Sequence, residues 1–84
     1  MTMSRRAVLT ADPPAGDYIL SPTGQSWNIR RSNGNGTVQG ISSGDRDRKV
    51  AFAKMTSLSD AGNADAWETA GNGTFWLVHR VRRP

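Results

Sequence analysis

The stretch Gly71-Asn72-Gly73-Thr74-Phe75-Trp76-Leu77-Val78-His79-Arg80-Val81-Arg82-Arg83-Pro84 joins a tight-turn signal to an aromatic, β-branched run that ends in arginines. Asn-Gly steps supply residues that tolerate positive φ, and between apolar runs they mark a hairpin. Ala64 to Thr69 is the matching run before the turn, so two strands are expected here. A competing reading continues helix through Asp65-Ala66-Trp67-Glu68-Thr69, since alanine and glutamate favour it. Strict alternation across a pleated strand places Phe75, Leu77, His79 and Val81 on one face and Trp76, Val78, Arg80 and Arg82 on the other. A core face and an arginine face thus leave the same element.

Working towards the amino terminus, Ser42-Ser43-Gly44-Asp45 reads as a helix start, with side-chain oxygens able to cap free amides. Ala51, Phe52, Met55 and Leu58 then recur at helical spacing, and Gly62-Asn63 closes a helix expected from about Asp45 to Asp60. Asp45 and Lys49 form a candidate i,i+4 ion pair. Before the helix, Tyr18-Ile19-Leu20 is closed by Pro22-Thr23-Gly24. Ser26 to Arg31 alternates with Trp27, Ile29 and Arg31 on one face, so the two runs read as a hairpin. Asn33-Gly34-Asn35-Gly36 supplies a further turn, and Thr37 to Ile41 a third strand weakened by Gly40. Residues 1–16 combine a basic start with Asp12-Pro13-Pro14-Ala15-Gly16 and read as a flexible arm, with a short edge strand at Ala7 to Thr10 as the alternative. The order β-β-β-α-β-β predicts an α+β fold over residues 17–84: a small antiparallel sheet with one main helix packed on one face. The expected core is Tyr18, Leu20, Trp27, Ile29, Val38, Phe52, Met55, Leu58, Phe75 and Leu77.

Eighty-four residues allow one modest core. The absence of cysteine removes both a disulfide framework and thiolate metal sites, and favours a cytoplasmic setting. Eleven Lys+Arg against seven Asp+Glu give a formal charge of +4, and the bias towards arginine favours anionic partners. Ser4-Arg5-Arg6-Ala7-Val8-Leu9 resembles the start of a twin-arginine export signal. The long apolar segment such a signal requires does not follow, because Asp12-Pro13-Pro14 intervenes. No segment has the length and apolar character of a membrane span.

A tryptophan strand, Ser26-Trp27-Asn28-Ile29, then a single helix and a closing strand, Trp76-Leu77-Val78-His79, resembles the layout of small bacterial or phage domains of unknown function over about residues 17 to 82. The resemblance implies the fold and transfers no site. Gly34 to Gly40 superficially resembles a phosphate-cradling loop, yet Gly40 falls one residue late for a dinucleotide fingerprint and no Gly-Lys-Ser/Thr ending follows, so it is read as a turn. His79 is the lone histidine and has no nucleophile or orienting carboxylate placed beside it by any motif. Neither catalytic nor metal-binding residues are assigned, no cofactor is expected, and an enzyme is disfavoured. Asn35-Gly36-Thr37 and Asn72-Gly73-Thr74 match the glycosylation acceptor pattern and are explained as turns.

Arginines interleaved with aromatics remain: Arg80 and Arg82 foremost, then Arg30 and Arg31 beside Trp27, with Trp76 as a stacking surface. The expectation is a non-catalytic binding module contacting an anionic partner, either nucleic acid or an acidic protein. The alternative is a protein-interaction or regulatory module in which a sheet edge or a tryptophan surface pairs with another chain, a homodimer being one such pairing.

Overall fold

The computed structural model describes residues 8–81, so Arg5, Arg6, Arg82 and Arg83 lie outside the described residues. The chain runs β1 (Val8–Leu9), β2 (Tyr18–Thr23), β3 (Ser26–Ser32), β4 (Val38–Asp45), α1 (Arg48–Gly62), β5 (Ala66–Thr69) and β6 (Phe75–His79). The strands form one sheet in the order β1-β6-β5-β2-β3-β4, with α1 packed against it, an α+β fold. Every neighbouring pair is antiparallel except β2 with β5. Ala66–Thr69 is strand rather than continued helix, because it sits inside the sheet between β6 and β2.

The helix begins later than the sequence implies. β4 runs on to Asp45, with register shifts against β3 on both sides of Ile29 that take up the extra residues. Asp47 supplies the cap, its carboxylate accepting from the Lys49 amide at 2.9 Å. Asp45 consequently pairs with Lys54 at 2.9 Å, not with Lys49. At the other end Asn63 adopts the left-handed conformation, φ 52°, and its amide reaches back to the Asp60 carbonyl.

The helix lays Ala51, Met55 and Ser59 on the sheet, one residue per turn, against Tyr18, Leu20, Ile29 and Ala66. Trp27, Phe52, Leu58 and Val78 pack around that cluster. Burying side chains such as Leu20, Ile29 and Met55 stabilises the fold by about 1.5–3 kcal/mol each. Val38, expected in the core, is 41% exposed because β4 is the sheet edge and Val38, paired with Ser32, lies on the face away from the helix. Pro22 is tolerated in β2 because β5 pairs only as far as Leu20, so its missing amide costs that ladder nothing.

Residues 10–16 are not strand, yet they run against the sheet. Pro13 is fully buried, and its carbonyl accepts from the Ser32 hydroxyl at 2.7 Å. The Gly16 amide donates to the Ser32 carbonyl, and the Ser32 amide to the Asp17 carbonyl, both at 2.8 Å. Asp17 is buried, with its carboxylate accepting from the Asp65 amide at 3.2 Å and the Trp67 indole at 2.9 Å.

Candidate functional site

The pairing registers sort the side chains of the sheet into two faces. Tyr18, Leu20, Trp27, Ile29, Arg31, Ala66, Glu68 and Trp76 share the helix side, and Ile19, Ser21, Asn28, Arg30, Trp67, Thr69, Phe75 and Leu77 share the other. Strict alternation fails once, in β6. Trp67 faces Leu77 but Ala66 faces His79, so Val78 is an inserted residue. Val78 packs on the helix-side core and His79 Nε2 meets Asp60 of α1 at 2.8 Å, so the bulge turns both to that side. The expected grouping of His79 with Phe75 and Leu77 is corrected accordingly.

Among the described residues, the arginines inferred from sequence therefore do not share one face. Arg31 lies on the helix side, its guanidinium 5.7 Å from the centre of the Tyr18 ring and its Nε donating to the Gly16 carbonyl at 3.3 Å. Trp76 is half-buried on that side, opposite Glu68 and Val8. Arg80 is exposed just past β6. Arg30 is exposed on the opposite side, on β3, three strand spacings or roughly 14 Å from β6. Arg82 falls outside the described residues.

Arg48, which the sequence did not single out, is held structurally. Its guanidinium makes a two-pronged contact with Glu68, Nε to Oε2 at 3.2 Å, and lies over the Trp27 and Phe52 rings at 5.8 and 5.2 Å. The hydrogen bond to Glu68 raises its pKa above the usual arginine value, burial opposes this, and the attraction of the Glu68 charge adds to it. Arg48 thus remains a cation, but one already paired.

Arg30 has no hydrogen bond or ion pair to any other described residue. It lines an open cleft of about 390 Å³ on the face away from the helix. Ile19 and Phe75 give this cleft an apolar lining, Ser21 and Thr69 a polar one, and Asp12 from the docked segment contributes a carboxylate. One end is bounded by Thr23 and the Gly71–Gly73 turn. Towards the other end, Asp12 approaches Gly36, its Oδ2 lying 3.9 Å from where a Cβ would stand. Phe75, expected in the core, is half-buried here because the helix covers only the other face. Ser21 carried no sequence signal beyond falling two residues after Ile19 in the same strand. No three His, Cys, Asp or Glu side chains come together to hold a metal among the described residues, and no helix among them is long and apolar enough to cross a membrane. No protein-family model, curated protein or solved structure matches this chain.

Proposed function

We propose that this protein is a small, non-catalytic binding module that contacts an anionic partner through the sheet face opposite the helix, with Arg30 as the principal contact and Arg80 at the sheet margin. The observation that carries the reading is the unpaired Arg30 guanidinium beside an apolar cleft. Arg48 and Lys54 are held by Glu68 and Asp45, whereas Arg30 has a fork of donors available for a carboxylate or phosphate.

The test is binding of single- and double-stranded oligonucleotides and acidic peptides at low and high salt, with Arg30→Glu and Arg80→Glu variants beside the parent. Arg30→Glu is expected to weaken binding at least about tenfold, the consequence of losing a charge-assisted hydrogen bond. Arg80→Glu is expected to act mainly at low salt, as a peripheral charge does. Unchanged affinity of both variants for every anionic probe refutes the proposal. A second reading, protein interaction through a sheet edge, draws on β4, which is eight residues long, lies at the end of the sheet and exposes Val38 and Ile41. It calls for binding that persists at high salt and is lost on placing lysine at Ile41.

A further inference from the structure

We infer that the cleft takes an acidic residue within an extended peptide, its carboxylate on Arg30 and its flanking backbone on Ser21 and Asp12. This deepens the anionic-partner reading and rests on it. Ser21 is only 7% exposed, lines the cleft, and its hydroxyl has no hydrogen-bond partner among the described residues. No described buried side-chain oxygen or nitrogen is sealed away without a partner, so the Ser21 oxygen opens into the cleft rather than into the packed interior. A recessed hydroxyl in that position can donate to a carbonyl or accept from an amide.

The charges on the cleft select between polymers. A nucleic-acid strand brings a phosphate with every nucleotide and depends on several cations along its path. Here Arg30 is the single described cation lining the cleft, and Asp12 lines it as well. Asp12 repels a phosphate chain but accepts readily from peptide N–H groups. Asp12 and Arg30 do not pair with each other, so both remain available. From Ile19 to Thr23 the cleft follows four strand steps, about 13 Å, the span of a short extended peptide. Ile19 and Phe75 offer an apolar lining for a small neighbouring side chain. A peptide thus uses the arginine, the hydroxyl, the carboxylate and the apolar surface together, whereas a phosphate chain is opposed by one of them.

The experiment is a titration of the isotope-labelled full chain, followed through its amide resonances, at physiological ionic strength. The probes are Ac-Gly-Val-Glu-Gly-NH2, its glutamine counterpart Ac-Gly-Val-Gln-Gly-NH2, and oligothymidylate. The glutamate peptide is expected to move the resonances of Ser21, Arg30, Thr69, Gly71 and Gly73, with the glutamine peptide at least about tenfold weaker. Arg30→Gln should abolish the preference between the peptides, and Ser21→Ala should weaken both. Arg30 is exposed and Ser21→Ala removes one unpaired oxygen, so both variants keep the parent spectrum elsewhere. If oligothymidylate moves the cleft resonances and the glutamate peptide does not, the inference is overturned and the anionic-partner reading survives. Binding by either probe that moves Arg46, Lys49 or Arg80 but not the cleft also overturns the inference alone. Binding by neither probe, at low salt as well, overturns both.

Discussion

Two turns of the molecule are written in nearly the same residues, Ser32-Asn33-Gly34-Asn35-Gly36-Thr37 and Thr69-Ala70-Gly71-Asn72-Gly73-Thr74, and they fold alike. In each, the opening hydroxyl accepts from the glycine amide two residues on, at 3.1 Å, and the asparagine side-chain Oδ1 accepts from the threonine amide two residues on, at 3.2 Å. All four glycines hold positive φ, between 81° and 94°. The first turn adds bonds among the Asn33, Asn35 and Thr37 side chains, and the larger difference lies in the proton each opening hydroxyl gives away. Thr69 donates it within its own turn, to the Thr74 carbonyl at 2.7 Å. Ser32 donates it across the chain to the Pro13 carbonyl. Similar local chemistry therefore makes one self-contained hairpin and one anchor that fastens the amino-terminal segment, and with it Asp12, beside the cleft.

The sharpest way to separate the two turns is at their first glycines. Both Gly34→Ala and Gly71→Ala incur about 1–2 kcal/mol from a side chain in the left-handed region. At Gly34 the new Cβ would also stand 2.8 Å from the Ala15 Cβ, whereas at Gly71 nothing lies within 4 Å. Gly34→Ala is therefore expected to cost about 1–3 kcal/mol more in urea unfolding, through overpacking. Equal losses would show that the docked segment contributes nothing at this contact.

Next in size are the hydroxyls. Ser32→Ala strips a buried carbonyl of its donor, a loss of about 1–3 kcal/mol, while Thr69→Val removes a half-buried bond nearer 0.5–1.5 kcal/mol. Amide hydrogen exchange should distinguish them further, with protection of Asp17 and Ser32 falling in the first variant and unchanged in the second. The smallest effect is also the most exacting for the likeness: Asn35→Ala removes two exposed bonds, from the Thr37 amide and hydroxyl, and Asn72→Ala one, so both should cost less than about 1 kcal/mol, with Asn35→Ala the larger. Equal losses would show that the Thr37 hydroxyl bond contributes nothing to stability.

The same contrast explains what could be read in the residues alone. The Gly71–Gly73 hairpin and the helical spacing of Ala51, Phe52, Met55 and Leu58 are local patterns, and the structure follows them. The end of β4 was hidden because a bulged strand breaks the alternation by which strands are recognised, and Ser42-Ser43-Gly44-Asp45 has the composition of a cap. The split of the arginines followed partly from alternation, which separates Arg30 from Arg31. The distance of both from β6 depends on strand order, which no local pattern encodes. Ser21 and Asp12 became candidates only through their surroundings, since a serine in a strand and an aspartate before proline are commonplace.

The parallel junction of β2 with β5 has a consequence in time as well as in space. β2, β3 and β4 follow one another as neighbours, and β5 and β6 do the same, so both groups form through short closures. Asp17 and Asp65, whose contact lies at the junction, are 48 residues apart. The two groups of strands are thus joined across a 48-residue separation, exceeded in this sheet by the edge pairing of β1 with β6, and entropy places that joining late. Trp67→Phe, which removes the indole donor to Asp17, is expected to steepen loss through faster unfolding with little change in folding rate, as a chevron measurement would reveal. The central strands of this molecule would then be the keystone of its kinetic lifetime.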